Sequence, residues 1–369
     1  MEHYLPIIQQ AVPAVTKAAL SIPPRDAGID SLDLVVIRVA LEKHFGFEIP
    51  DEVWFRFETL NEALHYFVAH HSQTKHKAPP TKNISIAKQV EITMPQMANS
   101  ALSENWLLKE LGDLHWRLLS DGLEQKSSEF KDGMGNRLYA TFTRIAYSLS
   151  HLTSFQENDV INFSGSIKRF GNATYLSHIN GESGNHFIKS NLMTTFSVRL
   201  SDDNASIEKS YPVEKVNHIE EWSRTPEFLT DYRLLRKNLT DTWSLSEFMF
   251  PVSDEVLFEC DYAINPYYEI NGVGLLYFAA YPLISDFCTA DFCKDKFNTV
   301  DWLTGFQTTH RDINYFANCN AYDKIVFRLN YFEQAGNAIK TVTTLYRQSD
   351  KMVLAKMFTV KQMYNRFLA

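Results

Sequence analysis

The chain has 369 residues, 45% of them hydrophobic and 22% charged, with a formal net charge of −8. That balance excludes a disordered or collagen-like chain and leaves room for roughly two to three domains. There is no Lys/Arg block of the kind a nucleic-acid binder carries. No run approaches the ~18 consecutive apolar residues of a membrane span. The opening MEHYLPIIQQ has neither the cationic start nor the apolar core of a secretory signal. Cys260, Cys288, Cys293 and Cys319 form no C-x-x-C pair and no disulfide framework, which suits a reducing, cytoplasmic setting.

Residues 1–71 read as helices over Leu5 to Leu20, Ser31 to Phe45 and Leu60 to His70. The middle one sets Leu34, Val35, Ile37, Val39, Leu41 and Phe45 at helical spacing, with Gly28 before it and Gly46 and Pro50 after it. Residues 72–93, with Pro79, Pro80 and four lysines, read as an interdomain linker.

The helix is entered through Gly28-Ile29-Asp30-Ser31-Leu32. Taken alone, Asp-Ser-Leu is also an ordinary helix N-cap. Together with the helix pattern, the downstream ETLNEALHYFV and the linker, it resembles the Gly-x-Asp-Ser-Leu motif of acyl carrier proteins. The resemblance covers about 70 residues, roughly the span such a domain needs, and implies 4′-phosphopantetheine on Ser31, attached by a phosphopantetheinyl transferase. A serine at a helix start would set the phosphodiester near free N–H groups and the positive end of the helix dipole. Arg38 and Lys43 beside Asp33 and Glu42 make this helix less acidic than carrier proteins usually present.

Residues 94–369 carry an internal repeat. Each half has an apolar helix, WLLKELGDLHWRLL from Trp106 and LLYFAAYPLISDFC from Leu275, followed by a β-rich stretch. Asp159 and Gly171 in the first half match Asp323 and Gly336 in the second, and Arg144 and Arg311 sit at similar offsets before the two aspartates. One buried helix wrapped by an antiparallel sheet is the hot-dog arrangement. The expected architecture is therefore α+β: a four-helix-type acyl carrier domain (1–71), a linker (72–93) and a double hot dog (94–369). The first hot dog covers about 94–205, a connecting segment with a helix 206–260, and the second hot dog 261–369.

LSENWLLKELGDLHWRLL, GNRLYATFTRI and NPYYEINGVGLLYFAAYPLISD are similar to the leinamycin-type bifunctional acyltransferase/decarboxylase family of double hot-dog proteins. That resemblance implies decarboxylation of a malonyl or methylmalonyl thioester on the arm of Ser31, giving an acetyl or propionyl starter for polyketide or fatty-acid-type biosynthesis, with acyl transfer from coenzyme A as an additional activity. The implied partners are a malonyl or acyl-CoA/ACP thioester and a downstream ketosynthase, with no nucleic acid and no membrane. Tyr139 matches the position associated with the family's catalytic tyrosine, and its role is left open between acyl acceptance, proton donation and orientation; a tyrosine on an amphipathic strand is more often core than catalyst.

Decarboxylation puts negative charge on the thioester oxygen, and hydrogen-bond donors in a dry site stabilise it without metal. The starts of the two buried helices, Asn99-Ser100 and Asn271-Gly272, are the expected donor positions, against a plain capping role. Thr141 and Thr143 alternate with Tyr139 on one strand face. His115 reads as a general base or a satisfied core histidine. Asp113 and Asp286 occupy comparable places in the two helices and would serve a dehydratase or thioesterase; ionised, they would repel a substrate carboxylate. Arg311, in His310-Arg311-Asp312, is a candidate to hold an arm phosphate or a carboxylate, against an ordinary ion pair. A hot-dog dehydratase or thioesterase and a non-catalytic docking scaffold for the carrier are the alternatives. There is no G-x-S-x-G elbow, phosphate-binding glycine loop, dinucleotide fingerprint or metal-ligand spacing.

Overall fold

The computed structural model describes residues 2–71, 82–199, 207–212, 218–297 and 305–363. The N-terminal part holds α1 (Leu5–Ala11), α2 (Ser31–Phe45), α3 (Asp51–Trp54) and α4 (Leu60–His70). The helix expected from Leu5 to Leu20 stops at Ala11 and resumes as a 3-10 turn over Ala18–Ser21, with Pro13 between them. Asp30 caps α2, its carboxylate accepting from the Leu32 and Asp33 N–H groups at 2.8 Å, while Asp33 returns a bond to the Asp30 N–H. Gly46 closes α2 at φ +76°, the left-handed cap glycine adopts without strain. Ile8, Ile37, Leu41, Leu64 and Phe67 form the core of this bundle.

The body runs β1 (Ile84–Glu91), β2 (Met97–Ala98), β3 (Ala101–Leu102), α5 (Glu104–Leu123), β4 (Leu138–Leu149), β5 (Val160–Phe170), β6 (Thr174–Ser183), β7 (His186–Arg199) and β8 (Ile207–Lys209). It continues with α6 (Glu227–Arg236), β9 (Thr242–Leu245), β10 (Phe248–Pro251), β11 (Phe258–Ala263), α7 (Pro266–Glu269), α8 (Ala280–Phe297), β12 (Phe306–Tyr315), β13 (Lys324–Ala335), β14 (Ala338–Arg347) and β15 (Val353–Met363). Strand β1 falls inside the segment read as linker and corrects its C-terminal limit: Ile84, Ile86 and Val90 alternate as a strand requires, a pattern hidden among lysines. Residues 72–81 lie outside the described residues.

One antiparallel sheet orders its strands β1-β5-β6-β7-β4-β12-β15-β14-β13-β11, with β8 added to β7. The order is symmetric about the β4–β12 pair, whose register centres on Ala146 opposite Asp312. Each half contributes five strands in equivalent places, and Gly171 and Gly336, at φ +61° and +60°, turn the equivalent hairpins β5–β6 and β13–β14. This is the tandem repeat expected from the sequence. One pairing within it is corrected. The pseudo-dyad through Ala146 and Asp312 relates Arg144 to His310, not to Arg311.

Helices α5 and α8 pack on the inner face of the sheet. Gly112 lets α5 approach Phe278, since a Cβ there would lie 2.4 Å from the Phe278 ring. On β4 the inner residues are Leu138 and Phe142 before a bulge at Thr143, and Ile145, Tyr147 and Leu149 after it. The outer face carries α6 and the helical domain. Leu32, Val36 and Val39 of α2 pack with Phe170, Leu176, Met193, Leu229 and Tyr232. Burying three aliphatic side chains contributes roughly 5 kcal/mol before ordering costs. Asp33, fully buried, accepts charge-assisted hydrogen bonds from Arg233 and Lys237 at the C-terminal end of α6. Lys43 donates to the Trp222 carbonyl at 2.6 Å and Arg169 reaches Glu48 at 3.3 Å, so the contact extends along the helix.

Candidate functional site

Ser31 is exposed at the first turn of α2. The N–H groups of Leu32 and Asp33, expected to be free for a phosphodiester, are taken by the Asp30 carboxylate. Burial pushes the Asp30 carboxyl up, but the Asp33 N–H and the cations Lys237 and Arg236 outweigh it and hold the carboxyl below its ordinary value. Positive charge at this helix start comes from α6 side chains rather than from open backbone donors. The hydroxyl remains open to solvent, which is what attachment of a pantetheine arm needs.

Two sites on the body are candidates for chemistry. The first lies on the outer face, on the side that α2 covers. Cross-strand register sets Lys209 opposite Ser197 and Ser197 opposite Tyr139. Directly opposed residues in a sheet share a face, so the three form one row about 10 Å long. Thr141 lies one step along the same face, its hydroxyl 2.7 Å from that of Ser197. The alternation of Tyr139, Thr141 and Thr143 breaks at the third residue, because Thr143 is the bulge and turns to the Met193 carbonyl. The Tyr139 ring lies under the guanidinium groups of Arg137 and Arg199, 5.3 and 5.5 Å from its centroid. Arg199 donates to the Val273 carbonyl at 2.6 Å, which brings the 271–274 turn to Tyr139. The Arg199 Nε is buried and has no hydrogen-bond partner among the described residues.

Neither Asn271-Gly272 nor Asn99-Ser100 sits at a helix start. Ser103 caps α5, and α8 begins at Ala280. Asn271 spends its side-chain oxygen on the Val273 and Leu275 N–H groups, both at 3.0 Å, and so builds its own turn. Gly272 meets nothing within 4 Å of where a Cβ would stand, so its backbone is open to close approach. Asn99 and Ser100 form the left-handed β2–β3 turn at φ +52° and +60°.

The second site is a cleft of about 230 Å³ on the inner face, where α8, β12, Lys361 and the 98–105 segment meet. Asn99 lines it, as do Glu104, Asp286, Gln307, Thr308 and Lys361. Arg311, fully buried beneath, donates to Glu104 at 2.7 Å and to Asp286 at 2.9 Å. Lys361 reaches Asp286 at 2.8 Å and Thr308 at 3.1 Å, and the Tyr147 hydroxyl donates to Glu104. Burial drives the Asp286 carboxyl up, but Arg311 and Lys361 reverse the effect and hold it low, so it is ionised. Burial and the Glu104 charge raise the Tyr147 phenol well above its ordinary value. Two carboxylates and two cations make this cleft electrically balanced. Tyr139, Thr141, Asn271, Gly272 and Ser100 are not among its lining residues.

His115 is a core histidine. Its two ring nitrogens meet Ser177 and Thr194 at 2.7 and 2.8 Å, and burial pushes it down to about 3, so it stays neutral. Asp113 does not match Asp286: it lies half-exposed in a surface pair with Arg117, at 2.9 Å. Glu104, Lys361 and Arg199 carry no signal of a site in the sequence. Glu104 after Ser103 reads there as a helix-start acid, and nothing local marks Lys361 or Arg199.

The phosphopantetheine attachment site family matches residues 8–67. The chain is 46% identical over 50 residues to acyl carrier protein 2, mitochondrial, of Arabidopsis thaliana, covering 14% of this chain and 39% of that protein's length. The chain is a carrier domain fused to a double hot-dog body. Its cofactor is 4′-phosphopantetheine, and a phosphopantetheinyl transferase is the partner that such a domain implies. Among solved structures, the fold is similar to that of an acyl-ACP thioesterase from Bacteroides thetaiotaomicron, with a TM-score of 0.51, 10% identity and coverage of 75% of this chain and 98% of that one. It is also similar to a 12:0-ACP thioesterase from Umbellularia californica, with a TM-score of 0.50, 8% identity and coverage of 76% and 95%. At those identities the likeness concerns the fold. Among the described residues, no helix is long and apolar enough to cross a membrane.

Proposed function

We propose that the body acts on acyl thioesters borne by its own carrier domain, and that the reaction is decarboxylation of a malonyl or methylmalonyl thioester to an acetyl or propionyl starter unit. The arm on Ser31 supplies a flexible tether whose terminal thiol holds acyl groups as thioesters. The observation that carries the reading is the place of Tyr139: it lies on the sheet face that α2 covers, in one row with Lys209, beside Arg199 and the 271–274 turn.

Loss of carbon dioxide leaves the bonding electron pair shared between the α-carbon and the thioester oxygen, so donors must meet that oxygen. The buried Arg199 Nε–H, without an acceptor among the described residues, is such a donor and is costly to hold unpaired. The Tyr139 hydroxyl is a second donor and a proton source for the α-carbon, and Gly272 allows close approach of the substrate. Thr141 and Ser197 bring no carboxylate to the row, so they do not repel the substrate carboxylate before it leaves as carbon dioxide. Fusion raises the effective concentration of cargo at this face without new contacts. Acyl transfer from coenzyme A onto the arm and delivery to a ketosynthase belong to the same reading.

Intact-mass measurement tests it. Malonyl-loaded holo protein should lose the mass of carbon dioxide, and Tyr139→Phe and Arg199→Gln should slow that loss. A rate equal to that of an unrelated malonyl-loaded carrier would reject it. Hydrolysis in the inner cleft is the second reading, supported by the ionised Asp286 that lines it and by fold neighbours named as thioesterases. Its signature is return to the unloaded holo mass, abolished by Asp286→Asn. A non-catalytic docking scaffold would give neither product.

A further inference from the structure

Four cations of the body surround the start of α2. Arg233 and Lys237 are consumed by Asp33. Arg236, the last residue of α6, acts on the Tyr232 phenol and, with Lys237, on Asp30. Lys209, the last residue of β8, is shielded from water, sits within the fields of Asp30 and Asp33, and is repelled by Arg236. Among the described residues, neither Lys209 nor Arg236 has a carboxylate of its own in salt-bridge contact. Desolvation first, and Arg236 second, push the Lys209 ammonium down to about 8. Two cations gathered without a dedicated anion among the described residues are electrostatically costly. All four act on the carboxylates of Asp30 and Asp33, and Ser31 lies between those two residues in the chain.

We propose that Lys209 and Arg236 clamp the phosphodiester that joins the pantetheine arm to Ser31, so that the body recognises the modified carrier over the unmodified one. The clamp rests on Ser31 carrying the arm and on no later chemistry. A phosphodiester brings one negative charge to a cluster of four cations and two carboxylates, and Lys and Arg are the side chains that hold such an anion. The clamp also sets direction. From Lys209 the row continues through Ser197 to Tyr139, so an arm held at its root by Lys209 starts along the face that bears Tyr139.

The test compares full-length apo and holo protein, with attachment confirmed by intact mass. Hydrogen exchange of α6 and β8 is followed in both forms, and the phosphorus-31 resonance of the phosphodiester is recorded in the holo form. In the wild type, holo protein should exchange several-fold more slowly over 227–236 than apo protein. In Lys209→Met with Arg236→Gln, that difference should vanish, and the phosphorus resonance should move to its position in the urea-unfolded holo chain. Equal exchange in apo and holo wild type, or a phosphorus resonance unchanged by the double substitution, overturns the clamp. If the double variant exchanges faster even as apo protein, Lys209→Met alone decides by the same resonance, because it keeps the side-chain stem and removes only the charge. None of these readouts requires turnover, so failure of the decarboxylase reading would leave them as expected.

Discussion

Replacing Arg311 by methionine removes the one guanidinium that bridges Glu104 and Asp286 while keeping a side chain of similar length in the core. In the wild type, Arg311 is fully buried, bonds to both carboxylates at 2.7 and 2.9 Å, and leaves Lys361 as the other cation on Asp286. Breaking a buried pair from one side costs about 3–5 kcal/mol, because the remaining charge stays desolvated. For a body of this size that is a drop in Tm on the order of 10 °C. The pH dependence identifies the cause. The wild-type Asp286 carboxyl is held below its unfolded value, so its contribution is present at neutral pH and is lost as pH falls through that range. Without Arg311 only Lys361 still opposes the effect of burial, so the same carboxyl rises and its contribution at neutral pH shrinks. The gap between wild type and variant should therefore be widest near neutrality and should narrow toward about pH 4. Urea unfolding followed by fluorescence at several pH values measures it. A gap under about 1 kcal/mol, or one that does not change with pH, would refute the account of this network.

Two further outcomes follow from the other buried polar groups. Asp33→Asn keeps the size of the side chain but removes the charge that Arg233 and Lys237 share, and should weaken docking of α2 by on the order of 2 kcal/mol, about thirtyfold. Faster hydrogen exchange in α6 with unchanged helicity checks this, and wild-type protection in α6 would contradict it. His115 is neutral in the fold, held down to about 3, whereas the unfolded chain takes up its proton near its ordinary value of about 6.5. The unfolded state thus binds more protons in that window, stability falls as pH drops through it, and His115→Gln should flatten the slope in acid denaturation; a slope identical to the wild type would show that the proton uptake lies elsewhere.

Features that depend on short-range pattern are legible in the amino-acid sequence. Helices α2 and α4 occupy the residues expected, because capping by Asp30 and Thr59 and the glycine at 46 act within a few residues. The two-fold hot-dog repeat is visible because equivalent hairpins keep the same turn chemistry, as at Gly171 and Gly336. Helical periodicity alone carries the first helix too far, across Pro13, and the lysines around β1 mask its alternation and give it the composition of a linker. Repeat logic also fails where it compares residue types: it matches Arg144 with Arg311, and Asp113 with Asp286, although in each pair one residue belongs to a different environment from the other.

By itself, the amino-acid sequence determined the carrier motif at Ser31, helices α2 and α4, and the duplicated plan, all of which arise from local periodicity, caps and turns. Only the tertiary structure decided which face of the sheet Tyr139 occupies, since one extra residue at Thr143 reverses the alternation of β4. It also decided that α2 docks on that face through Asp33, and that Arg311 is sealed between Glu104 and Asp286. Those contacts join residues about 200 positions apart, and no local pattern encodes a partner at that separation.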